Sequence, residues 1–231
     1  MKICLLGLPR CGSQHISRLI RNSFHPIHTI LAEPFTIGDR CVDYVDGNVI
    51  QVFGLTFDSM QSRVDHILTT LKKSPDQDII MKLFFLDYLE PYLPQIVNEL
   101  QNLEFKFIVI SREVESQLLS FGIALSTDQW NSNNGVYQKG FLVNVNNFPS
   151  IKWLYSLHCN FDNTFKKLNI SPLGVVAYET AVEDLSAVFG MQMNPNSGLK
   201  KQITCDPYDI IENAAEVKEF IKKIQNETHI Y

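Results

Sequence analysis

Residues 7 to 14 read GLPRCGSQ and follow the apolar run Ile3-Cys4-Leu5-Leu6. Gly7 and Gly12 stand at the G-x-x-x-x-G spacing of a phosphate-binding loop, but Ser13 occupies the lysine position of the triphosphatase motif and Gln14 the Ser/Thr position. In a triphosphatase that lysine reaches the β- and γ-phosphates and that hydroxyl holds magnesium. A loop lacking both is poorly equipped for a metal-bound triphosphate. It keeps the means to hold some anion: strand, glycine loop and helix turn backbone N–H groups and the positive end of the helix dipole toward a ligand. Arg10 adds a permanent charge on a planar fork.

A second group of candidates lies in SREVESQLLS, residues 111 to 120, where Arg112 closes an apolar run and Ser120 follows two helical turns later.

The elements that must position these residues follow from hydrophobic patterning. The runs at 2 to 7, 78 to 85, 105 to 111 and 174 to 179 read as buried parallel strands. Helical patterns lie between and after them at 13 to 23, 58 to 73, 91 to 102, 113 to 125, 150 to 168, 180 to 189 and 207 to 225. Strands alternating with helices imply a parallel α/β sheet that binds ligands at the carboxyl ends of its strands, where the first loop and Arg112 both fall. Residues 126 to 150 turn abruptly to Asn, Ser and Gly and read as an excursion that could serve as a lid. Residues 33 to 57 read as irregular, with a small hairpin expected around Asp46-Gly47.

The totals bound the class of protein. A chain of 231 residues, 45% hydrophobic, has the length of one well-cored domain spanning 1 to 231. Its net charge of -5 argues against nucleic acid as a partner, since a general binder shows a basic stripe. Five cysteines without a C-x-x-C pair suggest neither a disulfide framework nor a zinc site, and they fit a reducing cytoplasm. No stretch approaches 18 apolar residues, so a soluble, cytoplasmic protein with no membrane partner is expected.

Together the two phosphate-facing motifs resemble the sulfotransferases that use 3′-phosphoadenosine 5′-phosphosulfate (PAPS). In that family the first strand leads into a loop of Pro, Lys or Arg, Ser, Gly, then Ser or Thr that binds the 5′-phosphosulfate. Pro9-Arg10-Cys11-Gly12-Ser13 matches it with Cys11 in place of serine. The family's second signature is a strand-end arginine followed eight residues later by a serine, both on the cofactor's 3′-phosphate; Arg112 and Ser120 have that spacing. The resemblance implies a P-loop NTPase-like fold, three-layer α/β/α around a central, mainly parallel sheet, and sulfuryl transfer that needs no metal and yields 3′-phosphoadenosine 5′-phosphate (PAP). It implies that Arg10, Cys11, Gly12, Ser13 and Gln14 hold the phosphosulfate, that Tyr178 lies near the adenine, and that Lys200 and Lys201 close over the 3′-phosphate end.

One departure bears on catalysis. The cytosolic small-molecule branch places a histidine base two residues after a strand-end lysine, whereas here Lys82 is followed by Leu83 and Phe84. Other branches carry a glutamate soon after the first helix, and Glu33 in LAEPF, residues 31 to 35, offers one. Glu33 is the preferred base; His28 is the alternative, with Lys82 a further catalytic candidate. The acceptor, a small molecule or carbohydrate bearing a hydroxyl or less readily an amine, is not specified by any motif. The rivals are a nucleotide kinase, opposed by the absent loop lysine, and a nucleotide-binding module that has lost catalysis. A cysteine phosphatase needs C-x5-R, and Cys11 to Arg18 encloses six residues. No H-E-x-x-H or G-x-S-x-G motif supports metal or serine hydrolysis.

Overall fold

The structure is a computed structural model that describes residues 1–24, 29–31, 33–35, 43–45, 48–50, 59–73, 76–130, 140–198 and 206–227; for 29–31, 43–45 and 48–50 it describes the backbone alone. The chain divides into two compact units, Met1–Ser111 with Phe161–Ser197, and Arg112–Asn160 with Gly198–Tyr231.

The first unit is built on a sheet. Strands β1 (Lys2–Gly7), β2 (Thr29–Leu31), β3 (Asp43–Val45), β4 (Asn48–Ile50), β5 (Ile79–Phe84), β6 (Lys106–Ser111) and β7 (Gly174–Ala177) pair in the order β4-β3-β2-β5-β1-β6-β7. From β2 to β7 every pairing is parallel, while β3 and β4 extend one side antiparallel. β5 is buried along its whole length and β1 from Ile3 to Gly7, as expected of strands covered on both faces. Lys82 alone interrupts the apolar run of β5.

Four of the five parallel strands fall where the apolar runs predict them. β2 has no counterpart among the expected strands, because three residues are too few to establish a period. Val45 pairs with Asn48, consistent with the expected hairpin; Asp46 and Gly47 themselves lie outside the described residues.

Helices α1 (Ser13–Ser23), α2 (Met60–Lys72), α3 (Leu93–Asn102) and α6 (Ala181–Phe189) belong to this unit, α1 packing with α6 and α2 with α3. α2 opens with a reciprocal serine pair in which Ser62 N–H donates to Ser59 Oγ at 3.1 Å and Ser59 N–H to Ser62 Oγ at 3.3 Å. The strand order sends the connection leaving β1 toward β2 and the connection leaving β5 toward β6, in opposite directions across the sheet, so the right-handed crossovers usual for parallel strands would place them on opposite faces. The molecule is thus an α/β protein, compatible with a three-layer α/β/α arrangement. A crevice is expected at the carboxyl ends of β1 and β5, where the two connections part.

The second unit is helical, built from α4 (Val114–Thr127), α7 (Ala214–Glu227) and the part of α5 (Phe148–Lys167) up to Asn160. Leu118, Ile123, Ile151, Leu154, Val217 and Ile221 are buried, and Phe148 stacks on Phe220 at 4.1 Å. Two expectations need correction here. The excursion set at 126 to 150 is narrower, because α4 continues to Thr127 while a 3-10 turn at Val145–Asn147 leads directly into α5; residues 131–139 lie outside the described residues. The helix expected over 207 to 225 is interrupted: a 3-10 turn at Pro207–Ile210 gives way to extended Ile211, which bridges Phe141. Asn213 then clamps Val143, accepting its N–H and donating to its carbonyl, both at 3.0 Å, before α7 begins. Long-range pairing outweighs helical propensity at 211–213. No helix among the described residues is long and apolar enough to cross a membrane.

Candidate anion-binding site

The site in the first unit begins where β1 ends. After Gly7 the chain turns tightly, with Cys11 N–H donating to the Leu8 carbonyl at 3.2 Å. Arg10 adopts φ 66°, a left-handed conformation unusual for a residue with a Cβ, and Gly12 has φ 90° at the N-cap of α1. Gly12 contributes no side-chain cap and the first turn of α1 holds no acidic residue, so the positive helix end faces the loop without a carboxylate of its own.

The two glycines have steric reasons. A Cβ on Gly7 would stand 2.9 Å from Cys11 Sγ, and a Cβ on Gly12 would lie 2.1 Å from Cδ2 of Tyr178. Cys11 therefore tucks its sulfur beneath the loop, where burial pushes its thiol up to about 11. The Ser13 N–H and hydroxyl bond to that sulfur and draw the value back in part. Ser13 is buried, and Gln14 is half-buried with its carbonyl accepting from Ser17 Oγ at 3.0 Å.

Strand register then brings two further charges to the same level. Leu31 pairs with Met81 and Leu5 with Lys82, so Glu33, two residues beyond β2, stands beside the carboxyl half of β5 and the loop after β1. Lys82 is only 5% exposed. Burial lowers its pKa most, and Arg18 lowers it too, while the carboxylate of Glu33 raises it. Glu33 shows the opposite balance: burial raises its carboxyl above the ordinary range, although Lys82 and Arg10 pull it down. Its backbone is at φ 137°, a region that favours glycine. Arg10 and Glu33, the two non-glycine candidates with positive φ, thus belong to one electrostatic cluster with Lys82. The turn that carries Glu33 is anchored by Phe35, 1% exposed, and by Arg63 of α2, whose Nε donates to the Pro34 carbonyl at 2.9 Å.

Tyr178 follows β7 and lays its ring over Gly12; its N–H donates to the Ser111 carbonyl at 2.9 Å. His15, in the first turn of α1, meets that ring edge-on at 5.7 Å between centroids, and its Nδ1 is 3.0 Å from Ser197 Oγ. Burial lowers the His15 pKa, which favours the neutral ring in this contact.

Arg112 and Ser120 belong to the second unit. Arg112 immediately follows β6 and is half-buried, and Ser120 is 7% exposed on α4. Between them Glu113 caps α4, accepting from Glu115 N–H at 2.9 Å and Ser116 N–H at 2.5 Å. His28, Lys200 and Lys201 lie outside the described residues.

Of the residues selected from sequence, Arg10, Cys11, Gly12, Ser13, Glu33, Lys82 and Tyr178 gather in the first unit around the end of β1. Arg63 and Arg18 were missed. Arg63 carried a signal: it occupies the buried stripe of α2 with Val64, Ile67, Leu68 and Leu71, where a charged residue has to have an interior partner. No protein-family model matches the chain, and no curated protein matches it.

Proposed function

We propose that this chain is a PAPS-dependent sulfotransferase of P-loop-like fold, moving a sulfuryl group to an acceptor hydroxyl or amine. The observation that carries the reading is the grouping of Arg10, Lys82 and Glu33 around a glycine loop at a helix N-terminus. Two cations there suit a phosphosulfate, and the loop offers neither the lysine nor the hydroxyl that a magnesium-bound triphosphate uses. The chain's residues fit such a group, because the first turn of α1 presents no carboxylate and no side chain caps its N-terminus.

The donor, when bound, supplies an activated sulfur–oxygen bond. Arg10, Lys82 and the loop amides then balance negative charge at the 5′ side, a fixed electrostatic environment rather than covalent chemistry. Glu33 receives the acceptor's proton, and its raised pKa makes it a stronger base than an ordinary carboxylate. Arg112 and Ser120 are assigned the 3′-phosphate, and Tyr178 a place beside the nucleotide.

The test is thermal stabilisation by PAP compared with AMP, ADP and ATP, each with and without magnesium. A ligand that binds only the native state must raise its melting temperature. PAP without magnesium should stabilise most. Equal stabilisation by ATP with magnesium would favour a kinase, and PAP binding without turnover on any acceptor would favour a binding module.

A further inference from the structure

We propose that Arg63 is a positioning residue: by holding the Pro34 carbonyl it keeps Glu33 in its strained backbone conformation, with its carboxylate within reach of Lys82 and Arg10. The role assigned to Glu33 rests on the sulfotransferase reading, but the positioning by Arg63 can be tested without it.

The argument starts from strain. A non-glycine residue at φ 137° persists only where its surroundings over-determine it. Two anchors lie directly after Glu33. Phe35 is fully packed, and the Pro34 carbonyl receives the Nε–H of Arg63 at 2.9 Å. Arg63 is itself 8% exposed, and burying a guanidinium is costly unless its hydrogen bonds are made, so the bond fixes both ends. It spans 29 residues, tying α2 to the turn after β2. The reciprocal serine pair at Ser59 and Ser62 fixes the start of α2 one residue before Arg63, so the donor comes from a rigid element.

Among the described residues, the charges acting on Glu33 are Lys82 from β5 and Arg10 from the loop after β1; Arg18 of α1 acts on Lys82 in turn. Removing the Arg63 guanidinium has two separable effects on Glu33. Loss of a nearby positive charge could only push the carboxyl pKa up. Release of the turn toward water would bring it down toward the ordinary range, because desolvation is what raises it.

The experiment is a carboxyl-carbon NMR titration of the full chain, with the Glu33 signal assigned by its loss in Glu33→Gln. It is run on wild type, Arg63→Met, which keeps an apolar stem and loses the donor, and Arg63→Lys, which keeps charge and donor. Positioning predicts a downward midpoint shift in Arg63→Met and a midpoint closer to wild type in Arg63→Lys. An unmoved or raised midpoint in folded Arg63→Met overturns the proposal. Should Arg63→Met not fold, Arg63→Gln is read in the same way; failure of both makes Arg63 a core residue and also overturns it. PAP affinity is measured in parallel. If wild type binds no PAP while the Glu33 midpoint falls in Arg63→Met, the positioning stands and the sulfotransferase reading fails.

Discussion

Glu33 and Gly12 are where single atoms decide most. A hydroxyl attacks well only when its proton can leave, and a base within reach contributes about 10² to 10⁴ in rate. If the proposed role of Glu33 as base holds, Glu33→Gln keeps the shape and removes the basicity, so turnover should fall by about that factor with PAP affinity near wild type. Because burial raises the Glu33 pKa, the acid limb of the pH–rate profile should lie above the ordinary carboxylate range and disappear in Glu33→Gln. His28→Asn is the matched control; loss of turnover there alone would pass the role to the histidine. Gly12→Ala tests the loop. Its φ of 90° and a Cβ 2.1 Å from the Tyr178 ring together should cost at least about 2 kcal/mol in urea unfolding. Adding Tyr178→Ala should restore the steric part and leave the backbone part.

At the level of elements, α4 depends on an unusual cap. Glu113 stands at its N-cap and accepts two backbone N–H groups. Its burial pushes the carboxyl up, but the bonds from Ser116 and Glu115 and the charge of Arg112 outweigh that and hold it below its ordinary value. A depressed acid adds stability above its unfolded pKa and loses it as pH falls through the folded value. Glu113→Ala should therefore cost about 0.5 to 1 kcal/mol at neutral pH, the low end for a cap because the carboxylate is mostly exposed. The difference from wild type should vanish below the folded pKa, as measured by urea unfolding across pH. A pH-independent loss would mean that packing matters and the charged cap does not.

For the whole molecule the proposed sulfotransferase function turns on recognition of a 3′-phosphate. Arg112→Ala should weaken PAP by about 1.5 to 3 kcal/mol, the scale for removing one partner of a charge-assisted hydrogen bond. AMP, which lacks that phosphate, should bind the variant and wild type alike, and calorimetry with both ligands checks this. Equal losses for the two nucleotides would separate Arg112 from the 3′-phosphate. The side chain is half-buried beside the end of β6, so the variant is expected to fold.

Local chemistry wrote much of this protein directly into its sequence. Continuous apolar runs gave β1, β5 and β6 within a residue or two, because strands covered on both faces have to be apolar throughout; β7 was found from the same kind of run, yet it ends the sheet with Val176 buried and Val175 exposed. The glycine spacing gave the loop after β1, and Arg10 with it, since a backbone at φ 90° accepts little else. What remained hidden depends on register and on distant partners. β2 is three residues long and owes its place to pairing with β5, which no periodicity over three residues can announce. The break before α7 comes from Ile211 and Asn213 meeting Phe141 and Val143, some seventy residues earlier. That Glu33, Lys82 and Arg10 share one electrostatic neighbourhood follows from three adjacent strand ends. Arg63 joins them through a backbone carbonyl, and any residue at position 34 would have supplied one, so composition could not reveal the contact. Periodicity reports how deeply an element is buried; only the folded sheet decides which buried charges meet.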